Sequence, residues 1–252
     1  MSKPSSEHRR LVQGPLPSDP DAAARGFLEL MRTRRTVRHF SNRPVAQSLV
    51  EHLIAAAGTA PSGANKQPWR FVAIQDRELK RRIREEAETE ERLFYEKRAN
   101  DQWLSDLHPL GTNEDKPFLE EAPWLIVVFK LMRDDHPERD NDQVYYVNES
   151  VGIAVGLLLA AARNAGLCTL THTPSPMRFL GPLLGRSEHE RPYVLIPLGH
   201  PADDCMVPDI ERKTLDEIMV LDRGTPLRPA KSEGDPLPDL SGPRGPRNPE
   251  TP

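Results

Sequence analysis

The sequence predicts an α+β fold, one sheet with long helices packed over it. Three stretches carry that expectation. Trp124–Leu131, WLIVVFKL, reads as a strand apolar on both faces, as the middle of a covered sheet requires. Val144–Ala165 is an apolar helix closed by Gly166. Asp76 is placed to cap a long charged helix running to about Ala99.

The remaining elements follow in chain order. Asp21–Thr33 carries Phe27, Leu28 and Met31 at helical spacing, and Gln47–Ala57 carries Leu49, Leu53 and Ile54 in the same way. Arg70–Gln75 is a short strand, with Phe71 and Ala73 alternating against Val72 and Ile74. Asp101–Pro117 holds Pro109, Gly111, Asn113 and Pro117 among charges and reads as irregular. Leu167–Thr171 and Tyr193–Leu198 are further buried strands, the second ending in Gly199. No internal repeat is visible.

The 252 residues suffice for one domain with a sizeable core. Both ends are polar and rich in proline. From Arg223 to Pro252 there are eight prolines, four glycines and no aromatic residue, too little apolar surface to offset the entropy of ordering. The expected organisation is a disordered segment over 1–20, a folded body over 21–221 and a disordered Pro-rich tail over 222–252. A net charge of -4 gives no reason to expect nucleic acid. The most apolar run, Val151–Ala162, falls short of the roughly 20 residues that cross a bilayer. No secretory signal opens the chain, so a cytoplasmic location is expected, with no membrane partner. Cys168 and Cys205 have no metal-ligand spacing, and no metal is expected. Two free thiols are the preferred reading, and a disulfide between them stays open.

Four short pieces could hold a ligand. Arg34, Arg35 and Arg38, with Thr36, place three planar guanidinium forks and a hydroxyl within five residues, a set matched to phosphate oxygens. A solvated helix end has the same composition. Thr59–Asn65, followed by Gln67, Pro68 and Trp69, is a run of small residues whose backbone could approach a flat ligand. An ordinary helix-to-strand connection uses those residues too. Thr171 and Thr173, around His172 and before Pro174, could offer hydroxyls at a strand end, although threonine is common in strands. Arg212 follows near the end of the folded body.

In this order the four pieces resemble the FMN-binding framework of the nitroreductase superfamily. The resemblance implies that Arg34, Arg35, Thr36, Arg38 and Arg212 hold the phosphate of FMN. It implies that Pro61, Ser62, Gly63, Ala64, Thr171 and Thr173 meet the ring and ribityl chain. Beyond the superfamily, the wording GTAPSGA, FYEKR, EEAPW, GLLLAA, NAGL, LLGR, VPD and LDEIMV resembles the iodotyrosine deiodinase family from about Arg34 to Val220. Several of these segments have no duty in holding flavin.

Glu91 and Tyr95, four apart on one helix face, are followed by Lys116 twenty-one residues later. An amino acid substrate carries an ammonium and a carboxylate, so its site needs one group of each opposite sign and a neutral hydrogen-bonding partner. Neighbouring Glu85, Glu86, Glu88, Glu90 and Glu96 make a solvated helix face the bland alternative for Glu91. The deiodinase family has the same three residue types at these spacings. The resemblance implies that Glu91 takes the ammonium, Lys116 the carboxylate, and that Tyr95 hydrogen-bonds the amino acid. Residues about 88–117 would form a lid, mobile without ligand because its apolar anchors are few: Phe94, Trp103 and Leu104.

The same resemblance implies FMN-dependent reductive dehalogenation of halotyrosines. The substrate phenolate would be held by the Ala64 N–H, and the Thr173 hydroxyl would donate to flavin N5, favouring delivery of electrons one at a time. An intertwined homodimer is implied, with Val151–Ala162 the best candidate for the shared core. No Gly-rich dinucleotide fingerprint is present, so a separate reductase could be the electron donor. Thr36 stands where the family has serine, the tail runs past the family's usual end, and a membrane anchor like that of vertebrate members is not expected. The sequence assigns no role to Asn65 or His172 beside the flavin residues. The competing readings are an FMN-dependent nitroreductase acting on another aromatic substrate, and a non-catalytic flavin- or amino-acid-binding protein.

Overall fold

The computed structural model describes residues 10–136 and 142–221. The Pro-rich tail and the first nine residues lie outside the described residues. Four antiparallel strands form one sheet in the order β1-β2-β4-β3, with β1 Trp69–Ile74, β2 Trp124–Leu131, β3 Cys168–Thr169 and β4 Glu190–Gly199. The expected strand at 124–131 is therefore an interior strand, paired on both edges. Its side chains alternate between two cores. Trp124, Ile126 and Val128 enter one and Leu125, Val127 and Phe129 the other.

The first core lies under helices α2 (Gln47–Gly58) and α6 (Val147–Asn164), which meet through Val50, Leu53 and Ala57 against Val151, Val155 and Leu158. Burying each such Leu or Val contributes about 1.5–3 kcal/mol. The Trp124 indole, buried in this core, donates to the Val45 carbonyl at 2.9 Å, so no polar group is stranded. The second core lies under α3 (Arg77–Leu93) and the short α5 (Phe118–Glu121), through Ile83, Ala87, Phe118 and Leu119. Helix α1 (Pro20–Arg32) begins behind Asp19, whose carboxylate accepts from the Ala22 N–H. The Asp76 cap is present, accepting from the Leu79 N–H at 2.7 Å.

Several boundaries differ from the sequence expectation. The charged helix leaves α geometry at Leu93 and finishes as a π turn over Phe94–Arg98. The stretch 101–117 is not irregular throughout: Asn100 caps a helix α4, Asp101–Leu107, followed by a 3₁₀ turn that ends at left-handed Gly111. The central helix starts at Val147, because Tyr146 is left-handed at φ 48°. The strand expected over 167–171 pairs only at Cys168–Thr169, and His172 then makes a separate bridge to Leu195. Helices α7 (Leu180–Leu183) and α8 (Leu215–Ile218) complete the chain.

Candidate functional site

The arginine cluster sits where the chain leaves α1 and runs beside β3. Thr36 bridges Thr169 in parallel, and the Val37 N–H donates to the Thr169 carbonyl at 3.1 Å. Arg212 reaches back to the Arg34 carbonyl at 2.8 Å, and Arg35 donates to the Pro208 carbonyl. Arg34 is half-buried, and its pKa is lowered by that burial and then by Arg212 and Arg35. Among the described residues, no carboxylate pairs with Arg34, Arg35, Arg38 or Arg212. Crowded guanidinium groups without a counterion favour an anion with several acceptor oxygens. A cavity of about 240 Å³ opens here, lined by Arg34, Arg35, Arg163, Thr169 and both free thiols, Cys168 and Cys205.

The structure brings Arg34, Arg35 and Arg212 together. The electrostatic neighbours of Arg38 are Tyr95, Lys116 and His172.

The loop after α2 is conformationally costly. Ala64, Asn65 and Gln67 all have φ near 50°, in the left-handed region that non-glycine residues adopt at about 1–3 kcal/mol each. Their backbone is held in place by the Asn65 N–H to Ser62 O, the Lys66 N–H to Gly63 O and the Gln67 N–H to the Ser62 hydroxyl. A buried pair, Lys66 with Asp134 at 2.6 Å, ties the loop to the end of β2. Gly63 is required by space, since a Cβ there would stand 2.8 Å from the Tyr145 carbonyl oxygen. The Ala64 N–H has no acceptor among the described residues, and the residue is exposed. The strained loop thus leaves one backbone donor unpaired among the described residues.

Thr171 and Thr173 are exposed at the sheet end, with His172 buried between them. The His172 backbone is locked to Leu195 by two hydrogen bonds, at 2.8 and 2.9 Å, and its ring meets Phe118 edge-on. Burial first, then Lys116 and Arg38, hold its pKa at about 3, so the imidazole is neutral. Its Nε2 has no hydrogen-bond partner among the described residues.

Glu91, Tyr95 and Lys116 converge. The Lys116 ammonium lies 3.1 Å from the Glu91 carboxylate and 5.7 Å from the centroid of the Tyr95 ring. Lys116, which by itself reads as a surface lysine, is among the most buried side chains, 2% exposed. It also donates to the Asn113 carbonyl. Burial raises the Glu91 pKa and lowers that of Lys116, outweighing their mutual attraction on both sides. Burial also raises the Tyr95 pKa, against the Thr112 hydroxyl, which as a donor to the phenol oxygen favours its ionised form. Thr112, Asn113 and Glu88, which accepts from the Lys116 backbone N–H at 2.9 Å, are members that residue spacing did not reveal. The stretch 94–103 has more aromatic packing than its composition suggested: Phe94 meets both Tyr95 and Trp103 edge-on.

The donor set fits a flat, phosphorylated cofactor. An arginine trio lacking a counterion would take the phosphate, and a free N–H on a strained loop and paired strand-end hydroxyls would face a ring. The fold and this site define a flavoprotein of the nitroreductase type. Residues 31–200 match the model of the Nitroreductase family, and the chain belongs to that family.

Its similarity to iodotyrosine deiodinases is higher still. It is 52% identical over 195 residues to iodotyrosine deiodinase of Haliscomenobacter hydrossis, covering 77% of this chain and 88% of that one. It is 45% identical over 199 residues to the Nematostella vectensis iodotyrosine deiodinase, covering 77% and 74%. A crystal structure of oxidized iodotyrosine deiodinase bound to FMN and 3-iodo-L-tyrosine aligns with TM-score 0.66 and 32% identity, over 79% of this chain and 99% of that one.

Proposed function

We propose that this protein is an FMN-dependent oxidoreductase that reductively dehalogenates halotyrosines, releasing halide and tyrosine. One observation carries the reading: a buried lysine and glutamate, paired with each other at 3.1 Å beside a tyrosine. Such a pair can be exchanged for a zwitterion without leaving a buried charge unmatched. A ligand with one charge, or none, offers no such exchange.

Replacing an aryl halogen by hydrogen consumes two electrons and one proton and expels the halide ion. When bound, FMN supplies the electrons. Arg34, Arg35, Thr36 and Arg212 would hold its phosphate, and Pro61, Ser62, Gly63, Ala64, Thr171 and Thr173 would line its ring and ribityl chain. Arg38, which stands with Tyr95 and Lys116, would contribute its charge on that side of the site. The Thr173 hydroxyl would hold a proton at flavin N5. The Ala64 N–H would hold the substrate phenolate oxygen, favouring the ionised phenol in a site with little water. Glu91 would take the ammonium, Lys116 the carboxylate, and Tyr95 would hydrogen-bond the bound amino acid. Residues 88–117 would close over the ring and exclude water.

We carry forward a homodimer, with Ile153 and Leu157 exposed on α6 and Ile218, Met219, Val220 and Leu221 exposed at the end of the described chain as its candidate surface. A separate reductase and a cytoplasmic setting belong to the same proposal. Among the described residues, no helix is long and apolar enough to cross a membrane.

The test is anaerobic. Dithionite-reduced, flavin-loaded protein mixed with 3-iodotyrosine should release iodide and tyrosine in equal amounts. Binding without iodide would make it a binding protein. Reduction of a nitroaromatic, with no iodide from iodotyrosine, would make it a nitroreductase.

A further inference from the structure

Lys80, Arg84 and Glu88 lie four residues apart on α3, and Glu91 and Tyr95 continue the same face. Each of the five touches the segment 112–122. The buried Lys80 ammonium donates to the Glu120 and Ala122 carbonyls at 2.9 and 2.7 Å, capping the end of α5. Arg84 Nε stands 3.3 Å from the Glu120 carboxylate and 3.8 Å from that of Glu88, charge pairs without the alignment of a hydrogen bond. Glu88 accepts the Lys116 backbone N–H, Glu91 pairs with the Lys116 ammonium, and Tyr95 meets Thr112.

One helix face therefore works as a rail that hangs the whole segment. Its first half is structural, and its last two residues belong to the clamp. Glu88 is where the two halves meet. Its side chain is 16% exposed, so it is not one of the solvated glutamates of this helix. It grips the main chain of the residue whose ammonium would meet the substrate carboxylate. The same residue's carbonyl accepts from Leu119, fixing Lys116 on both sides of its Cα.

We propose that Glu88 is a positioning residue for substrate specificity: by holding the Lys116 backbone it places the Lys116 ammonium to receive the carboxylate of an amino acid. This rests on the reading of Lys116 as the carboxylate-binding lysine. Glutamine at 88 keeps an acceptor oxygen for the N–H, alanine removes it, and aspartate keeps the charge but falls a methylene short.

The experiment titrates flavin-loaded protein with 3-iodotyrosine and with 4-iodophenol, which has no zwitterion, following flavin emission, and compares Glu88→Ala, Glu88→Asp, Glu88→Gln and Lys116→Gln. Glu88→Ala is expected to lose about tenfold in the preference for iodotyrosine over iodophenol, and Glu88→Gln to keep it within about twofold. An unchanged preference in Glu88→Ala, or equal weakening of both ligands, overturns the proposal. If Glu88→Ala does not fold, Glu88→Asp carries the same comparison. Failure of both to fold makes Glu88 a folding residue and also overturns it. If Lys116→Gln itself keeps the preference, the clamp reading has failed, and that outcome is distinct from a failure at Glu88 alone.

Discussion

The Lys116 ammonium and the Glu91 carboxylate face each other at 3.1 Å, with the lysine side chain 2% exposed and the glutamate side chain 13%. Two opposite charges taken this far out of water are worth little as a pair and are expensive to separate. Glu91→Gln or Lys116→Gln should each lower affinity for 3-iodotyrosine by about a hundredfold or more, since each leaves one charge of the bound zwitterion uncompensated. Each single variant should also melt earlier than the double variant, because the double removes both charges. A calorimetric double-mutant cycle reads this directly. Additive losses would mean that the two residues act separately.

Burial has opposite effects on the two clamp pKa values, raised for Glu91 and lowered for Lys116. The ammonium of a substrate needs ionised Glu91, so binding weakens as pH falls through a value above the ordinary carboxylate range. The carboxylate needs charged Lys116, so binding weakens again as pH rises through a value below the ordinary lysine range. The affinity profile should be a bell narrower than two unperturbed groups would give. In Glu91→Gln the part of the acid limb that belongs to Glu91 should disappear, leaving that of the substrate phenol, while the alkaline limb stays. Titration of the binding constant against pH decides it.

His172 carries a pH signature in stability rather than in binding. Its folded pKa, about 3, lies below the ordinary 6.5. Above 6.5 both folded and unfolded chains leave it neutral and the contribution is fully present. As pH falls below 6.5 the unfolded chain takes up a proton that the folded chain refuses. Stability should then decline by up to about 1.4 kcal/mol per pH unit from this residue. His172→Gln should remove that part of the slope, as denaturant unfolding between pH 4 and 7 would register. An imidazole signal titrating near 6.5 in the folded protein would contradict it.

Arg34 should respond in opposite senses with and without cofactor. In the flavin-free protein its charge is crowded by Arg212 and Arg35. Arg34→Gln should leave that form equally or more stable, while weakening FMN binding about 10- to 100-fold through the loss of charge-assisted bonds to phosphate. Melting temperatures of both forms, with an FMN titration, check the two signs together.

The fold was legible where period and length agree. WLIVVFKL reads as a two-sided strand because both of its faces enter a core, and Asp76 reads as a cap because its carboxylate binds the third N–H beyond it. The grouping of Glu91, Tyr95 and Lys116 was legible only through the family resemblance that their spacing carries. Its depth was not, because a lysine buries only when distant chain segments meet over it. Helix α4 was hidden by a charged, proline-flanked sequence, and its packing depends on Phe94 meeting Trp103. Sequence adjacency grouped Arg38 with Arg34 and Arg35, and its charge is also felt by Tyr95 and Lys116, which only the fold brings near it. Glu88 looked like its neighbouring glutamates, since only the fold brings the Lys116 N–H to it.

The most direct measurement is the rate of iodide release from 3-iodotyrosine against that from 4-iodophenol, anaerobically, with dithionite and the purified flavin-loaded protein. The account gives rapid release from the amino acid and little from the bare phenol, and loss of that difference in Lys116→Gln. Equal release from both substrates, or a difference that survives in Lys116→Gln, would contradict it.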